Sequence, residues 1–332
     1  MVRLRTVTPD SKGWTRRRAG TGFSYVDEAG RRLSGADVER IKALAIPPAW
    51  EDVWICPVRN GHIQAVGVDA AGRKQYLYHP DWRTKQDALK FQRVTEVASK
   101  LPKARAAVLE HIALDGMPRE RAAATAVRLL DLGYFRIGSD VYADDNGSFG
   151  LTTLERRHVT RSNGQLVFSF RGKSGSEHCI EIDDPLSVAA VETMRRRRGG
   201  DDRLLAFKQA QRWTGLDAAE VNEYLRDVSG AEITAKDFRT WHATVLAAAA
   251  LASADEPGDT KASRKRAVRQ AMVEVSEYLG NTPAMAKSAY VDPRVVDRYE
   301  GGTTIATAVR RRHKSPQQRQ VALERAVLKM LR

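Results

Sequence analysis

The chain has very little cysteine: Cys56 and Cys179 are the only two in 332 residues, far apart and without a Cys-x-x-Cys spacing. That excludes a disulfide framework and a zinc ribbon or finger, and both are expected to be buried small apolar residues. No apolar run is long enough to cross a bilayer, and neither end carries a lipidation signal. The N-terminus has arginines but no apolar stretch ending in a small-residue cleavage site, so no secretory signal is read and a soluble, cytoplasmic protein is expected. There is no internal repeat and no long low-complexity tract. Nothing is spaced as a phosphate-cradling loop or a metal cage, so neither a metal nor a cofactor is expected.

What is present is positive charge. Lys and Arg number 55 against 41 Asp and Glu, a formal net charge of +14 with pI near 9.9. Such an excess favours polyanions through phosphate contacts and counterion release. With 42% hydrophobic residues there is ample material for a core, and the length suits one or two domains.

The first part reads as short strands and turns. Phe23 to Val26 and Arg31 to Leu33 flank hairpin chemistry at Asp27-Glu-Ala-Gly30, and a helix is expected over Asp37 to Leu44. Strands are expected over Trp54 to Val58, His62 to Val68 and Lys74 to Tyr78, the last two joined at Asp69-Ala-Ala-Gly72. Here Arg73, Lys74, Gln75, Tyr76 and Tyr78 set basic residues beside an amide and two aromatics. Arg73 and Lys74 suit phosphates and Gln75 suits an adenine edge. The alternative is an ordinary exposed strand with the tyrosine pair packed beneath it.

Near residues 83 to 90 the pattern turns to long helices, giving an expected division into 1–86 and 87–332. Helices are expected around Phe91 to Leu101, Ala104 to Ala113 and Pro118 to Gly133. Directly after Gly133, Arg136 sits between apolar neighbours, where a guanidinium needs an anion, either one of the chain's own acids or a ligand. An island of strands comes next: Gly150 to Leu154, His158 to Thr160, Gln165 to Phe170 and Glu177 to Ile182, with Asn163-Gly164 as a hairpin turn. Lys173 lies at a hairpin tip, either solvated or positioned to move a proton. Asp144-Asp-Asn-Gly147 lacks calcium-loop spacing and reads as a turn. The remainder reads as helical: Met194 to Arg198 as a solvated or phosphate-facing patch, Arg239 one turn into a helix capped by Thr234, and Asp255 to Asp259 as a loop.

Gly280 closes a helical pattern, Thr282 is a good N-cap and Pro283 suits a first turn, so a short helix is expected from Pro283 to Tyr290, with Pro293 discouraging its continuation. A tyrosine there either packs its ring or, given cationic partners, acts as a nucleophile.

Arg136 in Phe-Arg-Ile-Gly, Lys173 in Arg-Gly-Lys-Ser-Gly, Arg239 in Lys-Asp-Phe-Arg-Thr-Trp and Tyr290 in Ser-Ala-Tyr-Val-Asp-Pro resemble, in order and context, the type IB DNA topoisomerases of the small bacterial and poxviral kind. Ile46-Pro-Pro-Ala-Trp50 and Gly72 to Tyr78 resemble that family's N-terminal domain, so the likeness covers nearly the whole chain. The resemblance implies an α+β architecture: a β-rich N-terminal DNA-binding domain and a mainly α-helical catalytic domain with a small hairpin sheet, forming a two-lobed clamp. It implies a monomer closing on double-stranded DNA and associated with the nucleoid. Tyr290 would form a 3′-phosphotyrosyl link, rotation would release supercoils and resealing would come after, without ATP or metal. Arg136 and Arg239 would neutralise the non-bridging oxygens, and Lys173 would protonate the leaving 5′-oxygen. Where most relatives have a histidine nine residues before the tyrosine, this chain has Asn281, which can donate a hydrogen bond but cannot be a cation. The rival readings are a tyrosine recombinase, whose second arginine is typically in His-x-x-Arg whereas Lys236 stands here, and a non-catalytic basic DNA-binding protein.

Overall fold

The structure, a computed structural model, describes residues 3–140, 143, 147–254 and 260–332. It falls into two compact units, Met1–Phe91 and Gln92–Arg332, in an α+β arrangement. The turn expected over Asp144 to Gly147, apart from Gly147 itself, and the loop expected over Asp255 to Asp259 lie outside the described residues.

The first unit is an antiparallel five-stranded sheet in the order β2-β1-β3-β4-β5. Its strands are β1 Trp14–Ala19, β2 Gly22–Val26, β3 Glu51–Ile55, β4 Ile63–Val68 and β5 Lys74–Tyr78, with helix α1 Gly35–Ala43. Its small core joins Tyr25, Val53, Ile55 and Ala65 of the strands to Ile41 of the helix. The hairpin expected between Phe23–Val26 and Arg31–Leu33 is only a single bridge, Val26 to Arg32. The full partner of β2 is β1, a strand that sequence reading misses because its three successive arginines hide the alternation. In the structure those side chains find uses that composition does not reveal: Arg16 lies over the Phe23 ring at 4.1 Å and donates to the Pro47 carbonyl at 3.0 Å.

The second unit is mainly helical. Helix α2 Pro80–Ala98, in which the division of the chain falls, leads to α3 Leu101–Ile112 and α4 Arg119–Gly133. A three-stranded antiparallel meander is next, β6 Val159–Ser162, β7 Gln165–Arg171 and β8 Glu177–Ile182. Then come α5 Pro185–Arg195, the hairpin β9 Ala206–Gln209 with β10 Arg212–Gly215, α6 Ala218–Ser229, α7 Ala235–Ser253 and α8 Lys261–Leu279. The chain ends with α9 Pro293–Glu300, α10 Ala306–Arg310 and α11 Pro316–Leu331.

Helix α4 runs through the core. Ala122, Ala123, Ala124 and Ala126 are buried in it, and their small side chains let α3, α5 and α6 approach closely. Asn163 and Gly164 take positive φ at the β6–β7 turn, the conformation that makes this dipeptide a hairpin signal.

Four expectations are corrected. Gly150 to Leu154 is not a strand but contains the single 3-10 turn Leu151–Thr153, and the β9–β10 hairpin stands where only helix was read. Cys56 is buried as expected, but Cys179 is exposed. The Met194 to Arg198 run is not simply a solvated patch: Arg195 and Arg196 pair with Glu192, and buried Arg197 donates to the carbonyls of Met194 and Leu204.

The basic C-terminal helix is docked. Arg105 of α3 pairs with Asp131 of α4 and Glu324 of α11, each at 2.7 Å. Although burial opposes it, His242, whose Nε2 lies 3.3 Å away, and the charge of Arg105 hold the Asp131 carboxyl well below the usual range. Removing one member of such a buried group leaves a charge uncompensated, at about 3–5 kcal/mol. The network therefore fixes α3, α4 and α11 around the helices that carry the site.

Candidate active site

Tyr290 is positioned by the end of α8 and by the two helical turns C-terminal to it. Gly280 adopts φ +57° and closes α8, and Thr282 accepts from the Met285 N–H at 3.2 Å to cap the helical turn Pro283–Met285. The expected helix does not then continue as α-helix. Residues Ala286–Tyr290 widen into a π turn, closed by the Val291 N–H on the Ala286 carbonyl at 2.9 Å. Such turns are uncommon and recur at functional sites. Pro293 does more than end this segment: it starts α9, with Asp292 as its cap. Thr244 of α7 ties the tyrosine's backbone down. Its hydroxyl accepts from the Asp292 N–H at 3.1 Å and lies 3.4 Å from the Tyr290 carbonyl, while its own proton goes to the Thr240 carbonyl at 2.8 Å. Sequence reading misses Thr244; its only signal is a hydroxyl one turn after Thr240 in an otherwise apolar stretch.

Two guanidinium groups converge on this tyrosine. Arg136 lies beyond α4, where Tyr134 takes φ +55° to end the helix, and its Nη1 lies 3.4 Å from the Tyr290 hydroxyl. Its Nη2 is 3.4 Å from the Gly280 carbonyl. Arg239, in the second turn of α7, is 5% exposed, and its guanidinium carbon lies 5.6 Å from the Tyr290 ring centroid. Arg239 donates to the Leu279 carbonyl at 2.6 Å and to the Tyr134 carbonyl. Backbone carbonyls thus orient both arginines. Among the described residues neither makes an ion pair, and the Nε of each is buried without a partner. The alternative left open for Arg136, pairing with an acid of the chain, does not hold here, so both charges remain available to an external anion.

Asn281 adds a third unfilled group. Its backbone N–H bonds the Ser276 carbonyl at 3.1 Å, but both its Oδ1 and its Nδ2 are buried and unpaired. A buried unpaired polar atom costs about 1–3 kcal/mol, which is sustained only where something else repays it. Lys173 lies in the single 3-10 turn Lys173–Gly175 between β7 and β8, with its side chain exposed. The flanking Gly172 and Ser176 line a cleft of about 580 Å³ whose walls include Arg136, Arg239, His178 and Gly280. The structure therefore brings Arg136, Arg239 and Tyr290 together, places Asn281 next to the Gly280 carbonyl that Arg136 approaches, and sets the lysine turn at the cleft that the two arginines wall.

The charges shape the titration of the site. Burial alone would raise the Tyr290 hydroxyl's pKa, but Arg136 and then Arg239 outweigh it and hold the group below its ordinary 10.0. Burial, and then repulsion from Arg136, bring Arg239 down to about 10, which still leaves it a cation at neutral pH.

In the first unit, Lys74, Tyr76 and Tyr78 point outward from edge strand β5. The two tyrosines are 38% and 41% exposed and stacked, with centroids 6.0 Å apart. The packed-beneath alternative is not what is found: Leu77 faces the core instead. Gln75 donates to Asp69 at 2.9 Å, and Arg73 donates to the same carboxylate. These bonds, led by the Arg73 side chain, lower the Asp69 pKa to about 2. Among the described residues no group of three or more His, Cys, Asp or Glu could hold a metal ion, and no helix is long and apolar enough to cross a membrane.

The chain is thus a basic α+β protein in which two arginines without acidic partners flank a tyrosine. Residues 79–315 match the family described as eukaryotic DNA topoisomerase I, catalytic core, and residues 22–69 match the bacterial DNA topoisomerase IB N-terminal domain. DNA topoisomerase 1B of Acanthamoeba polyphaga mimivirus is 28% identical over 297 residues, covering 87% of this chain and 88% of that protein. DNA topoisomerase 1 of rabbit fibroma virus is 22% identical over 74% of each chain. DNA topoisomerase 1B of vaccinia virus is 20% identical over 70% of this chain and 71% of its own. The chain belongs to the type IB DNA topoisomerases, isomerases that relax supercoiled DNA.

Proposed function

We propose that this chain relaxes duplex DNA as a monomeric clamp, with the N-terminal domain (1–86) binding one side of the duplex and the catalytic domain (87–332) performing the chemistry. The observation that carries the reading is the convergence of two acid-free guanidinium groups on Tyr290, half-buried Arg136 at its hydroxyl and buried Arg239 near its ring. Tyr290 Oη, its proton released to water under the pull of the Arg136 and Arg239 charges, attacks a backbone phosphorus, the bond from phosphorus to the 5′-oxygen breaks, and a 3′-phosphotyrosyl link remains. Arg136 and Arg239 hold the non-bridging oxygens where negative charge grows, and the Asn281 amide donates a further hydrogen bond. The Lys173 ammonium passes a proton to the departing 5′-oxygen. After strand rotation the 5′-hydroxyl attacks and the same steps run backwards. One phosphodiester is exchanged for another, so the reaction draws on no nucleotide, and the arginines supply the charge neutralisation that other phosphoryl-transfer sites take from a metal.

Lys74, Tyr76 and Tyr78 give β5 an outward face suited to a DNA backbone, and Asp69 holds Gln75 and Arg73 in fixed positions beside it. A cytoplasmic, nucleoid-bound location agrees with the net charge of +14. The test is relaxation of plasmids of both supercoil signs in a chelator without nucleotide: full activity is expected, and a strict magnesium or ATP requirement would overturn the mechanism.

A further inference from the structure

His178 of β8 stands in the same cleft and has no role in the mechanism so far. Its ring stacks on Phe170, centroids 5.1 Å apart and planes within 18°. Two glycines close on its other sides: a Cβ on Gly172 would come within 2.6 Å of the ring and one on Gly280 within 2.3 Å. Gly172 precedes Lys173 and Gly280 precedes Asn281, so the imidazole is seated between the backbones that carry both residues. Among the described residues neither ring nitrogen has a hydrogen-bond partner.

The charges around the ring are unusual for a histidine. Arg136, after α4, and Arg239, on α7, wall the same cleft, together with Glu277 and Tyr278 of α8 and Glu177 and Glu181 of its own strand. Arg171 on β7 and Lys173 lie at the adjoining turn. Burial, then Arg136 and Arg239, hold the imidazole's pKa below its ordinary 6.5, with Glu177 opposing. A neutral imidazole keeps one N–H donor. An oxyanion placed between the arginines would offset the charge that suppresses protonation, making the ring a stronger donor when the site is filled.

We infer that His178 is a further catalytic residue, its imidazole N–H donating a hydrogen bond to a non-bridging oxygen of the phosphate held by Arg136 and Arg239. This rests on the reading that the cleft holds a DNA phosphodiester. It also accounts for the two glycines, since a side chain at either position would occupy the ring's place.

The test is single-turnover cleavage of a duplex by His178→Phe and His178→Gln, with duplex affinity measured in parallel. His178→Phe keeps a ring on Phe170 but has no N–H, and it should cleave roughly 10- to 100-fold more slowly with affinity within about threefold of wild type. His178→Gln restores a neutral donor and should recover part of the loss. Because only the wild type can gain a proton there, the ratio of its rate to that of His178→Gln should rise as pH falls from about 8 to about 5. Cleavage by His178→Phe at the wild-type rate, or a ratio flat with pH, would overturn the inference. Should His178→Phe fail to fold, the pH ratio decides alone. If Tyr290→Phe abolishes cleavage while His178→Phe leaves it intact, only the inference fails. Covalent DNA on Tyr290→Phe would fail the underlying reading instead.

Discussion

Replacing Asn281 by alanine should separate stability from activity in a way that a structural residue could not. Both polar atoms of its amide are buried and unpaired, so the folded protein bears a desolvation cost of about 1–3 kcal/mol for each. Asn281→Ala removes both atoms while losing little apolar contact. The net gain should be about 1 kcal/mol, which for a unit of this size is about 2–4 °C in melting temperature. Cleavage should move the other way. If the amide donates to a non-bridging oxygen in the transition state, its loss should slow single-turnover cleavage by about 10²- to 10³-fold, or about 2.7–4 kcal/mol, with binding nearly unchanged. The two readouts are a thermal melt and a quenched cleavage time course on a duplex from which the fragment bearing the free 5′-hydroxyl dissociates after cleavage. A variant that cleaves as fast as the wild type, or melts well below it, would show that Asn281 only shapes the end of α8.

Arg136 is the leading influence lowering the Tyr290 pKa, so the cleavage rate of the wild type should rise with pH and level off below the ordinary tyrosine value of 10.0. In Arg136→Lys, whose charge is less well placed, that titration should move up; an unmoved profile would detach the arginine from the hydroxyl. Lys173→Ala should slow cleavage severely on ordinary DNA but far less where sulfur replaces the bridging 5′-oxygen, because a thiolate leaves without a proton. Equal losses on both substrates would reassign the lysine to binding.

The parts of the site that could be read in the sequence are those whose local context carries their chemistry. Arg136 sits just past a helix end, Arg239 lies one turn into a capped helix, and Gly280 and Thr282 bracket the helix boundary before Tyr290; each keeps that role in three dimensions. The features that escaped reading depend on distant partners. The π turn over Ala286–Tyr290 differs from an α turn by one residue of hydrogen-bond register, which side-chain spacing over five residues does not encode. Strand β1 is obscured because Arg16 is useful only once Phe23 and the Pro47 carbonyl are beside it. His178 looks like any residue of a strand, since its glycine neighbours lie six positions before it and about a hundred after it. Gln75 was legible as an amide on an exposed strand, but not as one already engaged with Asp69.

The central claim, that Tyr290 is the nucleophile and takes the 3′ phosphate, is tested most directly by trapping the covalent complex. After denaturation and proteolysis, the DNA-linked peptide should contain Tyr290, attached to the 3′ end of the cleaved strand opposite a free 5′-hydroxyl, and Tyr290→Phe should yield no adduct while still binding duplex. An adduct on another residue, on the 5′ end, or undiminished in Tyr290→Phe would contradict the account.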